Sequence, residues 1–145
     1  MKRSLLAAFA ALAAAGMVTT AEASYEIPLA GDFSSQGAEG NITIREADTA
    51  AYDSEITVEV NGLKPDSVYS VWLAREDPSR MQGLGVDDYS FRTDASGNGR
   101  FVASLSEGEL NDWDMIEIAH HPNGDPRDLD NAQIALRGDL GTIYD

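Results

Sequence analysis

From Tyr25 onward, apolar and polar residues alternate with a period of two along most of the chain. Ile27 and Leu29 alternate in "YEIPLAG", Ile42 and Ile44 in "GNITIRE", and Ile56, Val58 and Val60 in "EITVEVNGL". Successive side chains of a strand point to opposite faces, so this is the pattern of strands with one face buried. "SVYSVWLA" puts Tyr69, Val71 and Leu73 on one face and Val68, Ser70 and Trp72 on the other. Tyr89 with Phe91, then Phe101, Ala103 and Leu105, then Ile116 and Ile118, then Ile134 and Leu136 complete the set. The spacing predicts about eight short strands, with Val58 and Val71 buried on facing sheets. The one helix-like stretch, "LSEGELNDW", is long enough for a turn or two. An all-β fold follows, read as a single Greek-key β-sandwich of Ig-like or dismutase-like kind. A helical bundle and a Rossmann domain are excluded.

The breaks between strands carry turn chemistry. In "NGLKPDS", Pro65 pre-sets φ, and Asp66 and Ser67 can bond the backbone. "TDASGNGRF" predicts a tight hairpin with Gly97 and Gly99 at positive φ. "AREDPSRMQGLGVDDY" reads as one long loop that mixes Arg75 and Arg80 with acids, hides Met81 and Leu84, and covers Trp72. "IPLAGDF" (27–33) and "IALRGDL" (134–140) share a pattern, which predicts that the first and last strands are neighbours leaving the sheet by the same Gly bend.

The start of the chain changes the picture from fold to location. Lys2 and Arg3 precede an apolar run from Leu5 to Val18, and Ala21-Glu22-Ala23 supplies a small-x-small site. These features predict a signal peptide over residues 1–23, cleaved before Ser24, and a domain over 24–145. The apolar run is short for a membrane span, so membrane insertion is not expected and the protein is read as periplasmic or secreted. There is no Cys, so the domain stands without disulfides. The net charge is −15, and losing Lys2, Arg3 and Glu22 makes the exported chain more acidic still. Such a charge argues against nucleic acid and anionic lipid and favours cations or basic partners.

Residues 27–73 resemble the opening of the copper/zinc superoxide dismutases and of chordin-type secreted domains. The counterparts here are "IPLAGD", "GNITI", "ITVEVNGLKP" and "VYSVWL", with an echo in "LRGDL". Tyr69 to Leu73 also resembles the "Y.VWL" of the outer Ig-like domain of anti-sigma-K-type regulators. The resemblance implies a Greek-key sandwich. It does not carry the enzyme: Ser70-Val71-Trp72 stands where the dismutases place a His-x-His copper pair, and neither histidine of this chain precedes His120. A shared fold does not transfer an activity.

Candidate chemistry concentrates in "EIAHHPNGDPRDLDN" (117–131), which holds both histidines. On a strand, His120 and His121 point to opposite faces, and Pro122 keeps His121 extended. His120, in phase with Ile116 and Ile118, is expected to cap the inner face, and His121 to face the following loop. That loop gathers oxygens from Asn123, Asp125, Asp128, Asp130 and Asn131, the donor type Ca²⁺ takes in flexible geometry. The candidate metal ligands are therefore His120, His121, Asp125, Asp128 and Asp130. The spacing is not that of an EF-hand, Arg127 sits among the acids, and copper or zinc on His121 plus carboxylates is ligand-poor. No Cys nucleophile, Gly-x-Ser-x-Gly elbow, His-Glu-x-x-His or phosphate loop occurs. The expected function is an exported non-catalytic binding or structural module, without a cofactor, for an unknown protein or small-molecule partner. The alternative is an exported metal-binding protein using the 120–131 loop, with calcium ahead of copper or zinc. A degenerate dismutase-like enzyme with a single copper is the third reading.

Overall fold

A computed structural model describes residues 24–31, 37–46, 53–77, 79–106 and 108–141. The expected leader and residues 32 and 33 of the first Gly-Asp bend lie outside them. The described chain is all-β, with nine antiparallel strands: β1 (Ser24–Gly31), β2 (Glu39–Glu46), β3 (Asp53–Asn61), β4 (Val68–Arg75), β5 (Arg80–Gly83), β6 (Ser90–Arg92), β7 (Gly99–Ser106), β8 (Met115–His121) and β9 (Gln133–Asp139). None of the described helical segments is long and apolar enough to cross a membrane.

Alternation builds one layer directly. β1, β2, β3 and β7 pair in that order, and register places Ile27, Ile42, Val58 and Phe101 in one cross-strand row. The second layer runs β5/β6–β4–β8–β9. Here Tyr69, Val71 and Leu73 stand opposite His120, Ile118 and Ile116. The layers join where Ala30 and Gly31 pair with Arg137 and Leu136, so the first and last strands are neighbours, as the shared Gly-Asp pattern predicts. β7 lies beside β3 and β8 beside β4, each across three intervening strands, and these overlapping crossovers give the Greek-key path. A 3₁₀ turn at Glu109–Asp112 makes the passage from β7 to β8. The core between the layers includes Val58 and Val71, both fully buried; they were expected on facing sheets and lie instead on the two facing layers of one continuous sheet.

Three features depart from the alternation. The long loop between β4 and the next strand is no loop throughout. β5 pairs with Trp72–Arg75, β6 pairs with Val68–Ser70, and both lie on the same edge of β4. They are two halves of one edge strand, interrupted by an excursion over residues 84–89. Val71 pins the excursion at both ends, its carbonyl accepting from Leu84 N (2.9 Å) and its N–H donating to Tyr89 O (2.9 Å). Leu84 is buried as expected, whereas Met81 is 55% exposed. Tyr89 is not a strand residue: its φ is +59°, a left-handed conformation uncommon for a bulky side chain. There it lays its ring over Gly83, where an added Cβ would lie 2.0 Å from a ring carbon.

The second departure is in β9. A bulge sets Ile118 opposite Leu136 but Ala119 opposite Ile134, so Ala135 and Leu136 enter the core and Ile134 does not. The third is the Asp94–Asn98 turn, which closes as expected with Asp94 N on Asn98 O (2.8 Å). It joins strands of different layers and so is not a ladder hairpin. Gly97 is at φ +82° and Gly99 is not at positive φ. Gly97 is confined by the turn below β3: its carbonyl accepts from Leu63 N (3.2 Å), and a Cβ would meet Leu63 O at 2.2 Å.

The turn from Gly62 to Ser67 completes this end of the sandwich. Asp66 takes φ +49°, and Ser67 Oγ donates to Pro65 O (2.8 Å), the backbone bonding its sequence suggests. Thr93, buried, donates to Lys64 O (2.6 Å) and accepts from Ser67 N (2.9 Å). Tyr69 reaches up from the core so that its hydroxyl accepts from Lys64 N (3.1 Å). The rim beneath the two histidines is therefore closed by fixed polar contacts.

Candidate functional site

β8 ends in the two histidines, and strand geometry separates them. His120 stands opposite Tyr69 on the core side and His121 opposite Val68 on the other side. The expectation of opposite faces is met, but both rings are buried: His120 is 7% and His121 1% exposed.

His120 lies against the Tyr69 ring (centroids 4.9 Å apart, planes tilted by 37°). Burial, followed by the positive charge of Lys64 and the neighbouring His121, holds its imidazole below the ordinary value of 6.5. A histidine whose folded pKa is lowered binds its proton more readily in the unfolded chain. Its contribution to stability is thus fully present above pH 6.5 and declines as the pH falls from there toward the folded value. Chemical denaturation at a series of pH values between 8 and 5 should show this decline, and His120→Phe, which keeps the contact with Tyr69, should flatten it. An unchanged slope in the variant would assign the decline to other groups.

His121 sits at the centre of a hydrogen-bonded chain. Its Nδ1 is 3.3 Å from the carbonyl oxygen of Asp128, and its Nε2 is 2.6 Å from Ser70 Oγ. A carbonyl can only accept, so Nδ1 carries the proton; in the neutral ring Nε2 then accepts the Ser70 hydroxyl. Ser70 Oγ accepts in turn from Trp72 Nε1 (2.7 Å). A serine hydroxyl on an imidazole nitrogen is also how a nucleophile meets its base. Here Ser70 is fully buried, with its oxygen held between Trp72 and His121. Ser70 and Trp72 are the positions where the dismutase resemblance places the copper-binding pair, and in this protein Trp72 bonds to Ser70 and Ser70 to His121.

On this side of the second sheet Val68, Ser70, Ala74, Glu117 and Ala119 are all buried. Two loops cover part of it. From one edge the 84–89 excursion brings Tyr89, whose ring meets Trp72 edge-on (centroids 5.4 Å apart, planes at 70°), which is the cover expected for Trp72. From the other, the chain after β8 brings the Asp128 carbonyl onto His121. Asp88 accepts from Ser90 Oγ (2.6 Å), and this bond, with the nearby charge of Arg127, holds its carboxyl below the usual carboxylate range.

The aspartates of the 122–132 loop are spent largely on the loop itself. Asp128 accepts from the side-chain amides of Asn131 (2.7 Å) and Asn123 and from Asn131 N (3.3 Å), which lowers its pKa, the Asn131 amide contributing most. Asp125 accepts from Arg127 N (2.9 Å) and donates its own N–H to Asn123 Oδ1 (3.0 Å). Asp130 is exposed. The residues read from sequence as ligands are thus neighbours in the chain but face different ways: His120 inward, His121 under the loop, Asp128 toward its flanking asparagines. Among the described residues, no three His, Asp or Glu side chains converge as a metal site requires. The sequence reading missed Ser70, which lies 51 positions from its histidine partner. The signal present in sequence was a small polar residue between apolar neighbours in a largely apolar strand.

The opposite end of this sheet face carries the described depression, open to solvent and lined by Glu76, Asp114, Met115, Arg137 and Asp139. Arg137 donates to Glu117 Oε2 (2.9 Å) beside it, and Asp114 accepts from Glu76 N (3.0 Å). No family model matches the chain, and neither a curated protein nor a solved structure matches it.

Proposed function

We propose that this protein works outside the cytoplasm as a non-catalytic binding or structural module. The observation that carries this reading is the state of the polar groups around His121. Both ring nitrogens, the Ser70 hydroxyl, the Trp72 indole N–H and the Asp128 carboxylate have partners within the fold. They fix a loop against a sheet, which supports a structural use of this cluster. Export rests on the charged start, the apolar run and the Ala-x-Ala site of residues 1–23. The part of the dismutase resemblance that reaches this chain is its fold, because Ser70 and Trp72 cannot hold copper as a histidine pair does.

Metal analysis of the protein purified from its exported fraction tests the reading. The expected outcome is that no metal remains in stoichiometric amount after dialysis. Stoichiometric copper or zinc, lost when His120 and His121 are both changed to Gln, would overturn the proposal in favour of a metal protein. Stoichiometric calcium lost in Asp128→Asn would do the same, and would place the ion in the 122–132 loop.

A further inference from the structure

The outer faces of the two sheets differ in chemistry. On the first sheet, the central cross-strand row is Thr43, Thr57 and Val102, flanked by Asn41, Glu59 and Arg100, an ordinary solvated surface. On the second, cross-strand register sets Met81, Ala74 and Met115 in one row, next to a row of Gly83, Trp72 and Glu117. Tyr89 fills the space above Gly83. Met81 is 55% and Val86, at the tip of the excursion, 80% exposed, while Trp72 and Met115 are partly so. Two flexible thioethers beside an indole form a surface that adapts to apolar side chains. The excursion that presents Val86 holds two non-glycine residues, Asp87 and Tyr89, at positive φ (61° and 59°). Backbone strain of this kind gathers at binding surfaces and switch regions.

The rim of this face is acidic. Glu76, Asp114 and Asp139 border Met115, Asp87 stands beside Val86, and the one cation in the depression, Arg137, is bonded to Glu117. The whole chain carries −15. Apolar anchors inside a negative border suit a partner that offers aliphatic side chains between positive ones. We infer that the outer face of β5, β4 and β8, with the tip of the excursion, is the docking surface for a basic segment of a partner protein whose aliphatic side chains rest on Met81, Trp72 and Met115. This inference rests on the binding-module reading and gives it a surface and a partner chemistry.

The test uses the full exported chain, with EDTA present, and three short synthetic peptides: arginine alternating with leucine, arginine alternating with serine, and glutamate alternating with leucine. Backbone amide shifts report where each binds. The arginine–leucine peptide should shift resonances of β5, β4, β8 and the excursion. It should bind at least about tenfold more tightly than the arginine–serine peptide, the ratio expected for one buried leucine. Met81→Ser combined with Val86→Ser, at exposed positions where folding is not at stake, should remove that advantage. The surface is overturned by no binding, by equal binding of the two arginine peptides, by equal binding of the glutamate peptide, by shifts centred on Thr43, Thr57 and Val102, or by an undiminished double variant. EDTA keeps these outcomes separate from the metal analysis, which alone bears on the underlying reading.

Discussion

Val71→Asp is expected to yield no folded protein. Val71 is fully buried mid-strand, with Ile118 opposite it in β8 and the other layer below. No basic side chain is among the residues of the core. An unpaired carboxylate there costs several kcal/mol even if it takes up a proton. That is comparable with the whole stability of a domain this size, about 5–15 kcal/mol. Val71 is also the residue whose backbone anchors both ends of the excursion, so distortion there releases the edge strand too. Expression with assay by circular dichroism and gel filtration checks it. A monomeric variant with native strand content would mean that the core is placed wrongly.

His121→Ala is the second large effect, expected to cost roughly 4 kcal/mol. It removes a buried ring and leaves a cavity, which alone costs a few kcal/mol. It also strands the Ser70 hydroxyl and the Asp128 carbonyl, and an unmade buried hydrogen bond adds about 1–3 kcal/mol. Urea denaturation followed by tryptophan fluorescence reads it, because Trp72 donates to the same Ser70 oxygen. The loss should be the same with and without EDTA. A loss under about 1 kcal/mol, at the low end of a single buried hydrogen bond, would sink the structural role given to this histidine. One that appears only when metal is supplied would make His121 a ligand.

The strands that alternate strictly are the ones legible in the sequence. Ile27, Ile42, Ile56, Val58, Val71 and Ile116 each sit where a two-residue period puts them, because inward positions of these strands meet the opposite layer and nothing else. β5 was not legible. Arg80 and Gln82 occupy its inward phase at the rim, where Arg80 lies over the Trp113 ring and Gln82 donates to Glu109, so no apolar alternation marks the strand. The bulge at Ala135 is invisible for a related reason, since the run Ile134–Leu136 reads as regular whichever residue is extra.

The candidate site was legible only in part. The two-residue period separates His120 from His121 without a structure. What it cannot supply is the cover on the far side of the sheet, which comes from Tyr89 and from the Asp128 carbonyl, each remote in sequence from β4. Burial of Ser70 and His121 is a property of those loops and not of the strands that carry them. The asparagines flanking Asp128 did hold a signal: an acid between two amides can satisfy itself locally, and here Asn123 and Asn131 do so.

The interrupted edge strand has a consequence for the behaviour of the protein in concentrated solution. A free sheet edge is a template on which another chain can add a strand, and that is a common route to aggregation. β5 offers four residues and β6 three, and between them the chain leaves the plane for six positions. An incoming strand finds no continuous row of donors and acceptors long enough to hold it. The edge is thus protected by its discontinuity, with no lysine or proline within β5 or β6 to do the task. Shortening the excursion until the halves fuse would make this edge continuous and remove that protection.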